Sequence, residues 1–300
     1  MITVVGTGAM ATLVAARLGR LAPITMLGSW MDAVTAINRD GVHVDSGPGA
    51  DSVRVAATAN PVECAGASIA IVLVKAWQTA KAASQIKTFL APDGVALTLQ
   101  NGLGNFETLA AELGAERAAL GVTTQGATLI GPGHAREGGR GVTHIAEHPR
   151  LGPLFDLLRA ANFDIHSSPP SDLQSLVWGK LAINAAINPL TAILRVPNGE
   201  LLNRPDALAV MDAAAREVAA VAAAKGIALP FPDAAARARE VARATASNRS
   251  SMFQDILRGA PTEIDAINGA VVREAQTVKM NAPVNETLWK LVRALRTTLA

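Results

Sequence analysis

The sequence predicts an α/β fold, with a doubly wound, mostly parallel sheet first and a half made of helices alone after it. Three observations predict this. Short apolar, β-branched runs alternate with helix-period segments through the first half, as in successive βαβ units. The first such run enters a glycine-rich turn at once, in "ITVVGTGAMATLV". Beyond Pro169 and Pro170 the strand signal stops, and long Ala- and Leu-rich stretches broken by prolines replace it.

Each element has a local reason. "ITVVG" suits a strand buried on both faces, and "GTGAMATLVAARLGRL" a turn opening into an apolar helix. "PITML" reads as the second strand, and "MDAVTAINRDG" as a helix closed by Gly41. "GVHVDS" and "DSVRVAAT" alternate as a pair of strands. "ASIAIVLVK" is a buried strand, "QTAKAASQIKTFL" a helix, "GVALTLQNG" a strand ending in a turn and "GNFETLAAELG" a helix. "AALGVTTQGATLIGPG" and "GVTHIAE" follow as strands, with "GPGHAREGGRG" as the loop between them. In the second half, breaks are expected at Pro189, Pro197, Pro205, Pro230–Phe231–Pro232, Pro261 and Pro283. The predicted domains are 1–167, α/β, and 168–300, all-α.

Composition excludes several classes. The chain has 300 residues and a net charge of +2, with scarce aromatics, so neither nucleic acid nor a membrane surface is an expected partner. The lone cysteine, Cys64, can form no intrachain disulfide, which favours a cytoplasmic setting. No apolar stretch reaches the length of a membrane span, and the N-terminus lacks the basic region of a signal peptide. His43, His134, His144, His148 and His166 show no ligand-like spacing, so no metal is expected. The partner expected is a small molecule. A homodimer is compatible with the sequence, which does not set the oligomeric state.

The glycine turn carries the first functional signal. Gly6, Gly8 and Ala11 in "VVGTGAMA" follow the G-x-G-x-x-G/A pattern. Gly6 permits the tight turn, Gly8 lets a pyrophosphate approach the backbone, and Ala11 allows close helix–strand packing. The pattern follows a strand and opens a helix, the context that makes it informative. It predicts a Rossmann-type dinucleotide-binding domain that uses Gly6, Thr7, Gly8, Ala9, Met10 and Ala11, with phosphates at the helix N-terminus. Strand two ends in "MLGSWMDAV", with neither the acid usual for NAD nor the base usual for NADP. Ser29 suits either cofactor, while Asp32 and Arg39 lie further along.

The second signal is "WGKLAINAAINPLTAIL". Lys180, Asn184 and Asn188 recur every four residues and share one side of a helix. The rest of that helix is mostly Leu, Ala and Ile, so the polar stripe is a solvated face, an internally hydrogen-bonded one or the wall of a polar pocket.

Taken together, "GTGAMA", "VLVKAWQT", "LTLQNGLGN", "WGKLAINAAINPLTAIL", "PNGEL", "SSMFQD" and "TEIDAINGAVV" resemble the ketopantoate reductases (2-dehydropantoate 2-reductases) over essentially the whole chain. The resemblance implies reduction of ketopantoate to pantoate, on the route to pantothenate and coenzyme A, normally with NADPH. It implies Lys180 as general acid and Glu263 as the residue that holds the substrate hydroxyl. Asn184, Asn188, Asn198 and Ser251 match substrate-binding positions. Lys75 and Asn101 match positions at strand ends beside the cofactor. Two residues depart from the family: Ala11 replaces the usual glycine, and Trp30 stands where an arginine usually grips the 2′-phosphate. NADP is therefore the cofactor implied, with NAD also admitted.

Each of these residues also has an ordinary reading. Lys180 can snorkel from a helix edge. Asn188 before Pro189 can end a helix. Thr262 and Glu263 can cap and open a helix in "PTEID". Ser251 can be an N-cap, Lys75 a surface charge, and Asn101 part of an Asn-Gly turn. Two rival functions stand beside the first: reduction of another small 2-keto or 3-hydroxy acid, and a non-enzymatic dinucleotide sensor. A sensor has no need of a proton donor such as Lys180.

Overall fold

A computed structural model describes residues 1–45 and 50–295. Its contacts divide the chain into two units: Met1–Gln100 with Asn105–Leu173, and Asn101–Gly104 with Gln174 onward.

The first unit runs β1 (Ile2–Val5), α1 (Ala9–Leu18), β2 (Ile24–Leu27), α2 (Met31–Asp40), β3 (Val42–Asp45), β4 (Ala50–Val53), β5 (Ala56–Thr58), β6 (Ala67–Val72), α3 (Thr79–Phe89), β7 (Leu90–Thr98), α4 (Asn105–Leu113), β8 (Ala118–Thr123), β9 (Ala127–Gly131), β10 (His134–Glu137), β11 (Val142–Ala146), α5 (Gly152–Ala160) and β12 (Asp164–Ser168). Among the described residues, eight strands form one sheet in the order β12-β11-β8-β7-β6-β1-β2-β5. It is parallel throughout except where β11 meets β8. Strand β1 is central, with Val4 and Val5 buried, as its apolar run requires. A second sheet, β4-β3-β10-β9, packs on α1. This explains why α1 is apolar almost all round: it is covered on more than one side, and Ala11 to Ala16 and Leu18 are all buried.

The smaller sheet corrects two expectations. "DSVRVAAT" is two strands, not one: β4 pairs antiparallel with β3, while β5 joins β2 in the main sheet. The glycine-rich segment read as a loop contains β10, which pairs with β3 and β9. Its "HARE" core lacks any apolar alternation, so nothing local marked it as a strand.

The second unit is helical: most of α6 (Pro170–Leu194), then α7 (Pro205–Ala224), α8 (Ala234–Ala244), α9 (Ser251–Leu257), α10 (Asn268–Thr277) and α11 (Pro283–Leu295). Its core joins Trp178, Leu181 and Ile187 of α6 to Met211 and Val218 of α7, Val271 of α10 and Leu288 of α11. Pro205 and Pro283 open helices, where a missing N–H costs nothing. Pro189 does not break its helix as expected; α6 runs through it. By length and composition α6 is also apolar enough to cross a membrane, contrary to expectation, but 67% of the apolar window is buried within the protein. It is a core helix.

Candidate functional site

In the first unit, most of the candidate residues lie at the carboxyl ends of β1, β2 and β6. Gly6 has φ +133°, and a Cβ there would lie 3.1 Å from the backbone of Leu73, just after β6. Only glycine combines that dihedral with that approach. Gly8 is the N-cap of α1 and makes no side-chain cap; a Cβ on it would meet nothing within 4 Å. The first turn of α1 holds no acid. Ala9, Met10 and Ala11 therefore begin a helix whose N-terminal end has no side-chain cap and no acid, an end suited to an anion. Thr7 is buried against the end of β2, where a Cβ on Gly28 would come within 2.5 Å of it. This cradle fits the pyrophosphate of a dinucleotide.

Ser29 and Trp30 are exposed after β2, and Trp30 is the N-cap of α2. Asp32 lies in the first turn of α2 and Arg39 in the last, ion-paired to Asp40 at the surface. Nine helical steps separate Arg39 from Trp30, about 14 Å at the standard rise, so Arg39 does not replace an arginine at the loop. Lys75 is half-buried at the start of a 3-10 turn, Ala76–Gln78, that follows β6.

In the second unit, α6 presents Lys180, Asn184 and Asn188 along one side. Lys180 and Asn184 are half-buried and Asn188 is buried. Burial pushes the Lys180 ammonium down to about 8, and the nearby Glu263 carboxylate pulls it partly back up. Lys180 is thus no snorkelling surface lysine. Asn188 lies inside α6 and not at its end. Glu263 is buried, and its Oε2 accepts from Asn101 Nδ2 at 3.3 Å.

The ordinary reading of Glu263 as a first-turn carboxylate fails: α10 begins at Asn268, five residues later. Glu263 stands in a turn whose carbonyl accepts from the N–H groups of Ala266 and Ile267. Thr262 is buried and caps nothing; its hydroxyl has no hydrogen-bond partner among the described residues. The segment Asn101–Gly104 is docked on this turn through Leu103 N–H to Ala266 O, 2.9 Å. Gly102, at φ +82°, leaves no room for a Cβ, which would sit 2.3 Å from that carbonyl. The sequence placed Asn101 beside the cofactor; the structure brings it to Glu263. It does not make clear from sequence that Gly102 matters, beyond the Asn-Gly turn signal.

The remaining two residues sit differently. Asn198 is buried and donates to Thr245 Oγ1 at 2.9 Å, while its Oδ1 has no hydrogen-bond partner among the described residues. Ser251 is exposed as the first residue of α9. It is not the cap: Ser250 is, accepting from Phe253 N–H at 3.1 Å and from Thr191 Oγ1 at 2.7 Å. With two adjacent serines, only the helix start decides which one caps. Cys64 is buried, and burial pushes its thiol up, which suits a core filler. Among the described residues no cluster of metal-ligating side chains occurs.

Comparisons with known proteins identify the family and the fold. Residues 2–150 match the family model described as ketopantoate reductase PanE/ApbA, and residues 172–296 the model of its C-terminal part. The chain is 36% identical over 298 residues to a 2-dehydropantoate 2-reductase of Halobacterium salinarum, covering 97% of each. It superimposes on the crystal structure of a PanE/ApbA family ketopantoate reductase from Ralstonia eutropha with TM-score 0.91, 31% identity and 99% of each chain covered. It also superimposes on a ternary structure of D-mandelate dehydrogenase with NADH and anilino(oxo)acetate, with TM-score 0.92, 25% identity, and 100% of this chain and 99% of that one covered.

Proposed function

The chain belongs to the ketopantoate reductase family, and on that premise we propose that it reduces the 2-keto group of ketopantoate to pantoate, with Lys180 as the proton donor. The observation that carries the reading is Lys180 itself, a lysine on a core helix whose ammonium is held near 8 beside Glu263. A carbonyl reduction needs an acid whose proton affinity lies near the working pH, and this one does.

Gly6, Thr7, Gly8, Ala9, Met10 and Ala11 would hold the dinucleotide phosphates, with Ser29 and Lys75 beside them. A reduced nicotinamide held there would supply the hydride for the keto carbon. Lys180 stabilises the developing alkoxide by its charge and then gives it a proton. Glu263 accepts a hydrogen bond from the substrate hydroxyl and keeps Lys180 protonated at neutral pH. Asn101 fixes the Glu263 carboxylate through Oε2. Asn184 and Asn188 donate to the substrate's carboxylate without adding charge. Asn198 offers its Oδ1 and Ser251 its hydroxyl to the same ligand. NADP is the first cofactor in this reading and NAD the second, because exposed Trp30 leaves no cation after β2. The setting is cytoplasmic, and the partners are these small molecules, without nucleic acid or membrane; a homodimer is the assembly to look for.

A second reading, reduction of a bulkier 2-keto acid, is favoured by the likeness to D-mandelate dehydrogenase. Steady-state rates on ketopantoate and on phenylglyoxylate, each with NADPH and NADH, decide between them. Higher kcat/KM on ketopantoate supports the first; higher kcat/KM on phenylglyoxylate supports the second. Tight cofactor binding without turnover of any keto acid overturns both and leaves a sensor.

A further inference from the structure

Pro189 has no N–H, so the carbonyl of Ala185, four residues earlier, loses its helical donor. That carbonyl belongs to the residue after Asn184, within the stretch of α6 that bears the polar stripe. It is buried with its residue, where an unpaired carbonyl would be destabilising. It is not left unpaired: Asn268 Nδ2 donates to Ala185 O at 3.0 Å. Asn268 is the first residue of α10, directly after the turn that carries Glu263, and is fully buried. Its Nδ2 also donates to Asn285 Oδ1 at 2.9 Å. Asn285 is fully buried too and donates through Nδ2 to Glu217 Oε2 at 2.8 Å and to Ala214 O at 3.1 Å. Glu217, from α7, in turn accepts the N–H groups of Val284 and Asn285 in the first turn of α11. A continuous polar chain therefore runs from α7 through α11 and α10 to one carbonyl of α6.

We propose that Asn268 is a positioning residue: it occupies the gap that Pro189 opens in α6 and thereby fixes the Glu263 turn against the stretch of α6 that bears Lys180, Asn184 and Asn188. Asn285 and Glu217 hold its amide in register. The role extends the reading of Lys180 as proton donor and rests on it. The placement is economical in physical terms. Helices α6 and α10 share one apolar core; apolar contacts carry no direction, whereas a hydrogen bond to one carbonyl does. The Ala185 carbonyl, left without its helical donor by Pro189, is an acceptor ready for such a bond.

The test is Asn268→Ala, made alone and in a Pro189→Ala background, where residue 189 regains an N–H able to reach Ala185 O. Three quantities are read: kcat and KM on ketopantoate, the Kd of NADPH by fluorescence, and the pH midpoint of Lys180 labelling by acetic anhydride, followed by mass spectrometry. Alone, Asn268→Ala should lower kcat by about a hundredfold, the cost of misplacing a reacting group by about an ångström, and should shift the labelling midpoint of Lys180. NADPH affinity should stay within about twofold, because the glycine loop is untouched. In the Pro189→Ala background the same substitution should cost markedly less. Normal kcat and an unmoved labelling midpoint in a folded but less stable Asn268→Ala protein would reduce Asn268 to a structural residue and overturn the proposal. So would equal losses in both backgrounds. If Asn268→Ala does not fold alone, recovery of folding by Pro189→Ala supports the proposal and failure to recover overturns it. If the wild-type protein turns over no keto acid, the reading of the reaction fails, and the labelling midpoint with the Pro189 comparison still decides the positioning role.

Discussion

Substituting Lys180 separates its chemistry from its cost. Its ammonium is lowered from 10.5 to about 8, first by burial and against the pull of Glu263. A group with that midpoint is about 90% protonated at pH 7 and about 10% protonated at pH 9. If its proton is the one transferred, kcat for ketone reduction should fall about tenfold between those two pH values. Glu263→Gln removes the carboxylate that raises Lys180, so the falling limb should move to lower pH. Lys180→Ala should lose about two to four decades of kcat and all of the limb that reports Lys180. A wild-type kcat that stays flat from pH 7 to pH 9, measured under saturating cofactor and substrate, would refute the assignment.

The same shift has a stability consequence with a definite sign. A lysine whose folded midpoint lies below its unfolded one makes the folded state bind fewer protons between about 8 and 10.5, so stability rises with pH across that window. The penalty is full below about 8. At 1.36 kcal/mol per unit the shift corresponds to about 3 kcal/mol, and partial exposure of the side chain reduces this to about 1–2 kcal/mol. Lys180→Met should therefore make the protein more stable in urea at pH 7 by about 1–2 kcal/mol while abolishing turnover, and the gain should shrink as pH approaches 10.5. A variant that is both inactive and less stable at pH 7 would mean that Lys180 serves packing and not chemistry.

Gly102→Ala forces an L residue to φ +82° against a carbonyl at 2.3 Å; it should destabilise by more than about 1 kcal/mol and lower kcat by releasing Asn101 from Glu263, read by thermal melting and steady-state rates. Ser250→Ala should cost about 1 kcal/mol as a lost N-cap, whereas Ser251→Ala should leave stability nearly unchanged and raise KM for the keto acid. Wild-type kcat/KM with NADH should lie within about a hundredfold of that with NADPH, and Trp30→Arg should swing preference toward NADPH by about one to two decades, the worth of one charge-assisted contact. Rejection of NADH by many thousandfold in the wild type would show that another cation meets the 2′-phosphate.

What the sequence made legible was what local rules decide. Strand β1, the glycine turn and α1 follow one another as the sequence pattern predicts, and Gly41 ended α2 as its φ of +83° requires. The spacing of Lys180, Asn184 and Asn188 located the polar face of α6. The misreadings share one cause, a partner distant in sequence. β10 is a strand because β3 and β9 supply its hydrogen bonds, and nothing in "HARE" requires one. "PTEID" has a good helix-start pattern, yet α10 waits until Asn268, because the turn at Glu263 is held by Asn101–Leu103 from far upstream. Ser250 caps α9 with help from Thr191 of α6.

Three local exceptions in the helical unit lie on α6 or in the Glu263 turn: a lysine half-buried on a core helix, a proline inside that same helix, a carboxylate buried in a turn. Each is unfavourable alone, and each is matched by another of the group. Glu263 offsets part of the cost of burying the Lys180 charge; Asn101 donates to Glu263; Asn268 takes the carbonyl that Pro189 leaves open. A run of mutually compensating exceptions is what selection for a site produces, since a sequence selected for stability alone would remove all of them together. The pattern also explains why this helix is so apolar elsewhere. With Lys180, Asn184 and Asn188 given to the proposed site, the remaining faces of α6 supply the packing, and Leu181, Ala185 and Ile187 do so from within the core.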